Sequence, residues 1–155
     1  MNTCKKTYWV YCISVIMVLC CACRHNHTND PEWKQHDRPL WTVADTTDLE
    51  STMTVTGVLP TSLATQADTA DLVAAFCNDV CWGTTAIQWV GKQPYFFLFI
   101  NRPHSVNSEQ QVDLTLRYYS TRTRYIYIAQ SAFTFSIDAQ LGTIASPVVP
   151  SFTIE

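Results

Sequence analysis

An all-β fold, two antiparallel sheets packed as a sandwich, follows from three features of the 155-residue sequence. Apolar and polar residues alternate over most of the chain after Leu40, the period-two repeat of strands with one face in a core. Turn residues recur every eight to twelve positions or so. β-Branched and aromatic residues fill the stretches between them, which favours extended backbone.

Residues 51–59 alternate, with Met53, Val55 and Leu59 on one face and threonines largely on the other. Residues 69–76 are the one stretch that admits a helical turn or two, capped by Asp68; their apolar run ends in the turn pair Asn78-Asp79. Residues 81–90 resume the extended pattern until Gly91 and Pro94 break it. Residues 95–100 are wholly apolar, which suits a central strand covered on both faces. A polar segment with Pro103 leads to Val112, Leu114, Leu116 and Tyr118, alternating with Asp113, Thr115 and Arg117. Residues 120–123 turn the chain into a partner strand at 125–128. Phe133, Phe135 and Ile137 alternate once more before Gly142, Pro147 and Pro150 interrupt the tail. Seven or eight strands in one domain, residues 40–155, predict an immunoglobulin-like sandwich.

The first thirty residues are of another kind. Lys5 and Lys6 precede an apolar run from Tyr8 to Ala22, and no acidic residue occurs before Asp30. This is the pattern of a secretory signal, and it is short for a spanning helix, which needs roughly 20 apolar residues. The exit, Leu19-Cys20-Cys21-Ala22-Cys23, resembles a bacterial lipobox, with Ala22 as the small residue before the modified cysteine. The resemblance implies a signal peptide over 1–22, lipidation of Cys23, a membrane anchor of palmitate type and a diderm host. Arg24 stands where an inner-membrane retention signal would carry Asp, so the outer membrane or cell surface is the expected destination. Residues 23–39 are then the lipidated cysteine and a polar tether with no hydrophobic period, about 40 Å at full stretch. His25, His27 and His36 are solvated tether residues in this reading, since no partner at ligand spacing accompanies them.

Lysine and arginine total 10 against 13 acidic residues, and losing Lys5 and Lys6 with the signal widens the gap. A chain this acidic, with its basic residues scattered, is not built for nucleic acid. Of the 7 cysteines, only Cys77 and Cys81 lie beyond Cys23.

Met53-Thr-Val-Thr-Gly57, Ala74-Ala-Phe76, Asp79-Val-Cys81-Trp-Gly83, Tyr95-Phe-Phe-Leu98, Arg117-Tyr-Tyr-Ser120, Phe133-Thr-Phe135 and Leu141-Gly142 with Pro147 follow one another in order. The series resembles a β-sandwich module that recurs in secreted and surface proteins of Bacteroidetes. Trp82 stands where that module usually carries Arg, and Cys77 where its strand ends in an apolar residue. The resemblance implies a fold and a cellular address, with no settled activity.

Candidates for chemistry are few. A three-residue hairpin loop would set Cys77 opposite Cys81, in reach of a disulfide in an oxidising compartment; two free thiols are the alternative. A nucleophilic cysteine needs a neighbouring base, and His104, the one domain histidine, sits in a polar loop. Asp45, Asp48 and Glu50, then Asp68 and Asp71, cluster before strands without the interleaved spacing of a calcium loop. No catalytic residue, metal site or cofactor is therefore expected. The tryptophans and tyrosines exceed what a small core must hold, and Trp82, Trp41 and Tyr119 are the candidate binding aromatics.

The expectation is a non-catalytic, membrane-anchored surface lipoprotein serving as a binding, adhesion or accessory module, with a glycan or an envelope protein as partner. The alternatives are a small secreted hydrolase with paired carboxylates among Asp45, Asp48, Asp68, Asp71 and Asp79, and a structural subunit of an envelope assembly.

Overall fold

A computed structural model describes residues 33–44, 51–106 and 111–155. Among these residues the strands are β1 (Thr52–Val58), β2 (Leu72–Cys77), β3 (Val80–Ala86), β4 (Gln88–Val90), β5 (Gln93–Asn101), β6 (Asp113–Tyr119), β7 (Ile126–Ala129), β8 (Phe133–Thr134), β9 (Gln140–Leu141) and β10 (Phe152–Ile154). One sheet has the order β4-β5-β1-β9, the other β10-β7-β6-β2-β3 with β8 added against β6. The expected two-sheet antiparallel sandwich is present, with ten strands where the sequence predicts seven or eight. The additional strands β4, β9 and β10 are two or three residues long, too short to show a period.

Each sheet contributes one face to a shared core. Met53 and Val55 of β1 meet Phe96, Leu98 and Ile100 of β5, while Val73 and Ala75 of β2 approach from the other sheet with Leu114, Leu116 and Tyr118 of β6. Gly57 lies opposite Phe96 across the β1–β5 ladder, and the Phe96 ring fills the space where a β-carbon would stand.

The tail binds the two sheets. β9 runs parallel to β1, Val148 bridges to Gly57, and Val58 N–H donates to the Val148 carbonyl (2.9 Å). The chain then passes to the other sheet, where β10 pairs with β7. Gly142 sits at φ 76, and a β-carbon there would come within 2.3 Å of the Thr56 carbonyl oxygen. That position requires glycine on both counts.

Two sequence expectations are corrected. The helical turn lies at Thr61–Ala64 (α1), directly after Pro60 and anchored by buried Leu63; residues 72–77 are a strand. Asp68 caps a turn instead of a helix, its carboxylate accepting the Ala70 N–H (2.8 Å). The compact unit also begins at Trp33, so residues 33–39 belong to the domain that the sequence starts at Leu40. His36 N–H donates to the Arg124 carbonyl (2.7 Å), the Tyr119 hydroxyl donates to the His36 carbonyl (3.3 Å), and Arg124 pairs with Asp37. Polar composition hid this docking because backbone carbonyl and amide groups of the segment carry much of it.

Candidate functional site

The two faces of the sandwich that point away from the core differ. On the outer face of the β2–β3 sheet, Ala74, Phe76 and Cys81 form an apolar patch closed by Trp41 and Val43. Trp41 meets Phe76 edge to face at 5.6 Å, and the Arg117 guanidinium lies 4.3 Å from the centre of the same ring. Ala44 N–H donates to the Cys81 carbonyl (3.0 Å), fixing residues 33–44 as a strap across this sheet. Tyr119 is buried and bonded to the strap, which corrects its assignment as a binding aromatic, while Trp41 is half-buried against Phe76. Leu40, 94 % exposed, turns outward from the strap.

Trp82 is also corrected. It is 1 % exposed and meets Phe135 edge to face in the core. The register between β2 and β3 explains this: Ala75 pairs with Gly83 but Phe76 pairs with Cys81, leaving Trp82 as the extra residue of a bulge. A bulge re-aims the side chain it carries, here inward.

The same register decides the cysteines. Cys77 pairs with Val80 across a two-residue loop, Asn78-Asp79, in which Asn78 takes φ 53. Cys77 and Cys81 thus stand on opposite faces of the hairpin; Cys77 packs against the main core and Cys81 under the strap. Both thiols are free. The three-residue loop that would have set them opposite each other does not form. Burial pushes the Cys81 thiol above its ordinary value.

Asp71 and Asp79, two of the candidate carboxylates, do not converge. Asp71 is fully buried and accepts four hydrogen bonds: from Asp68 N–H (2.9 Å) and the Tyr118 hydroxyl (2.6 Å) on Oδ2, and from Thr121 N–H (2.7 Å) and its hydroxyl (2.6 Å) on Oδ1. These bonds tie the turn before β2 to the end of β6 and the turn that follows it. Burial first, and then the bond to Asp71, push the Tyr118 phenol well up. Asp79 lies at the other end of β2, about 20 Å away at 3.3 Å per residue, exposed and paired with Arg117 at 3.1 Å. Asp45, Asp48 and Glu50 lie outside the described residues, as does Cys23. Among the described residues no group of three or more His, Cys, Asp or Glu side chains is placed to hold a metal ion. His104 is exposed in the loop after β5, and no described helix is long and apolar enough to cross a membrane.

The outer face of the β5–β1 sheet carries the distinctive surface. Alternation along β5 sends Phe96, Leu98 and Ile100 inward and Tyr95, Phe97 and Phe99 outward. The sequence expects this strand to be covered on both faces; Phe99 is instead 50 % exposed, paired with Thr54 of β1 and beyond the reach of β4, which pairs only with residues 93–95. Tyr95 and Phe97 stack with ring centres 5.9 Å apart and planes within 10°. The tail covers Tyr95, whose hydroxyl lies 3.1 Å from the Ile144 carbonyl oxygen, and leaves Phe99 open.

Cross-strand register places Thr56 beside Phe97 and Thr54 beside Phe99, with Gln140 of β9 next to Thr54. These side chains line a shallow groove of about 290 Å³ floored by Val55 and Leu98. No lining residue is charged. An apolar run such as 95–100 does not by itself reveal an open face. The signal available in the sequence was the string of threonines on β1, which marks the neighbouring strand's outer side as solvated. No protein-family model, curated protein or solved structure matches this chain.

Proposed function

We propose that the chain is an exported, lipid-anchored, non-catalytic binding module of the cell envelope, and that it binds through the outer face of the β5–β1 sheet. One observation carries the binding reading: Phe99, beside Phe97 and across from Thr54, stays half exposed on the outer face of β5. The solvated face of an antiparallel sheet is ordinarily polar, and an exposed phenylalanine beside a shallow groove supports contact with another molecule there. The carboxylate arrangement supports a non-catalytic reading, because Asp71 is committed to four structural hydrogen bonds and Asp79 lies at the far end of β2.

The anchor rests on the lipobox-like run ending at Cys23. Its test is palmitate labelling and intact-mass measurement of the wild-type chain and Cys23→Ala in a diderm host. Lipid on the wild type alone upholds the anchor. Secretion of both forms without lipid removes it and leaves a soluble exported domain.

A further inference from the structure

We propose that the tip of the β4–β5 hairpin enters a lipid surface, with Trp89 and Val90 seated at headgroup depth and Lys92 beside the phosphates. The tip is separate from the binding face above: residues 91–93 lie at the far end of β5 from Phe99, about 20 Å away at 3.3 Å per residue. The inference does not depend on lipid at Cys23.

Three observations carry it. First, the tip projects. All three residues of β4 are exposed, and so are Gly91 and Lys92 in the turn that follows. A β-carbon on Gly91, at φ 63, would meet no atom within 4 Å. The turn therefore stands in open space.

Second, apolar side chains leave the tip on both of its faces. Trp89 pairs with Pro94, whose burial marks the inner face, and Val90 pairs with Gln93 on the outer face. Trp89 is 44 % exposed and Val90 39 %. Ile144, also exposed, stands beside the outer face, because its carbonyl oxygen and the Gln93 side chain both lie within hydrogen-bond distance of the Tyr95 hydroxyl. A protein surface that packs on a sheet covers one face. A lipid interface closes around a protruding tip and covers both, and this selects a bilayer as the occupant. Tryptophan, with an apolar ring and one N–H donor, suits that region. β4 is the edge of its sheet, and unpaired backbone is not tolerated in hydrocarbon, so the tip stops in the hydrated headgroup layer.

Third, carboxylates are kept away from this end. Leu59 N–H donates to the Pro94 carbonyl, and Val148 bridges to Gly57, so residues 57–67, 86–95 and 141–150 meet here. On a chain with 13 acidic residues, these three segments hold none, and their one charge is Lys92. A carboxylate would be repelled by anionic headgroups, whereas a lysine is drawn to them.

The test is flotation of residues 33–155, which contain every described strand and the core, with vesicles of phosphatidylethanolamine and phosphatidylglycerol and, separately, of phosphatidylcholine alone. Flotation is expected with the first and less of it with the second. Lipids brominated close to the headgroup should quench tryptophan fluorescence, and Trp89→Phe should remove the quenching. Trp89→Ala should weaken binding about tenfold, Val90→Asp should abolish it, and Lys92→Glu should weaken it on the anionic vesicles alone. Leu40→Ala, exposed on the strap, should leave it unchanged. Unchanged melting temperatures for these variants show that the loss is one of contact and not of fold. No flotation with either vesicle, or flotation indifferent to Trp89→Ala and Val90→Asp, overturns the inference. A photo-crosslinker at position 90 that reaches one envelope protein, on a chain that does not float, overturns it as well and gives the tip to a protein partner.

Discussion

Gly83 faces the carbonyl of Phe99 so closely that a β-carbon on the glycine would lie 2.2 Å from the oxygen. The backbone of β3, at the edge of one sheet, rests there against the backbone of β5 in the other.

Gly83→Ala should destabilise the domain by about 3 kcal/mol, because backbone on both sides cannot yield as a flexible side chain would. Urea unfolding measures this directly. A loss under about 0.5 kcal/mol, the range of ordinary surface substitutions, would show that the two strands are free to separate.

Asp71→Asn should cost about 3 kcal/mol. The amide keeps the volume but presents donors to a ring of donors from Asp68, Tyr118 and Thr121, leaving buried groups unpaired. Thermal melts of the purified domain would show it. A variant as stable as the wild type would mean that the network is replaceable by water.

Alkaline pH should weaken the fold. The Tyr118 phenol is held neutral in the folded state by burial and by its bond to Asp71, whereas in the unfolded chain it ionises near its ordinary value of 10.0. With the folded pKa raised, the contribution is intact below the unfolded value and is lost as pH rises from there toward the folded one. The urea midpoint should therefore fall above pH 10, and Tyr118→Phe should flatten the fall. Tyr118→Phe should also lower stability at neutral pH by about 1–3 kcal/mol, since it removes one donor from a buried carboxylate.

The two cysteines should react differently. Cys81 is buried beneath the strap with its thiol pushed up, whereas Cys77 is only partly covered at the hairpin end. Thiolate is the reactive form, so a charged alkylating reagent at pH 8 should modify Cys77 first and Cys81 only on unfolding. Trp41→Ala should open the strap and bring Cys81 labelling forward. Equal rates in the wild-type domain would show that residues 33–44 do not shield Cys81 in solution.

Much of this fold was legible in the alternation of residues 51–59 and 112–118, because a strand with one wet face writes its orientation directly into polarity; residues 133–137 yield only the short β8, with Phe135 buried and Ile137 44 % exposed. What escaped had a local cause in each instance. Trp82 points inward because one extra residue in β3 shifts the alternation, and nothing in the sequence marks a bulge at that position. Cys77 and Cys81 fall on opposite faces because the loop between the strands has two residues instead of three. The strap was hidden because its hydrogen bonds run largely through His36 and Ala44 main-chain atoms, to which composition is blind. The groove was missed for a different reason: residues 95–100 are apolar on both faces, and only the partner strands determine which face is covered.

β9 and β10 come from the end of the domain, yet each completes a different sheet, one beside β1 and the other beside β7. As the chain is made from its N-terminal end, both sheets remain a strand short until residues 140–154 arrive. During that interval β1 and β7 expose unpaired backbone, the condition under which strands recruit neighbours in trans. Closure of the domain is consequently a late, long-range event, complete only when the tail has crossed from one sheet to the other.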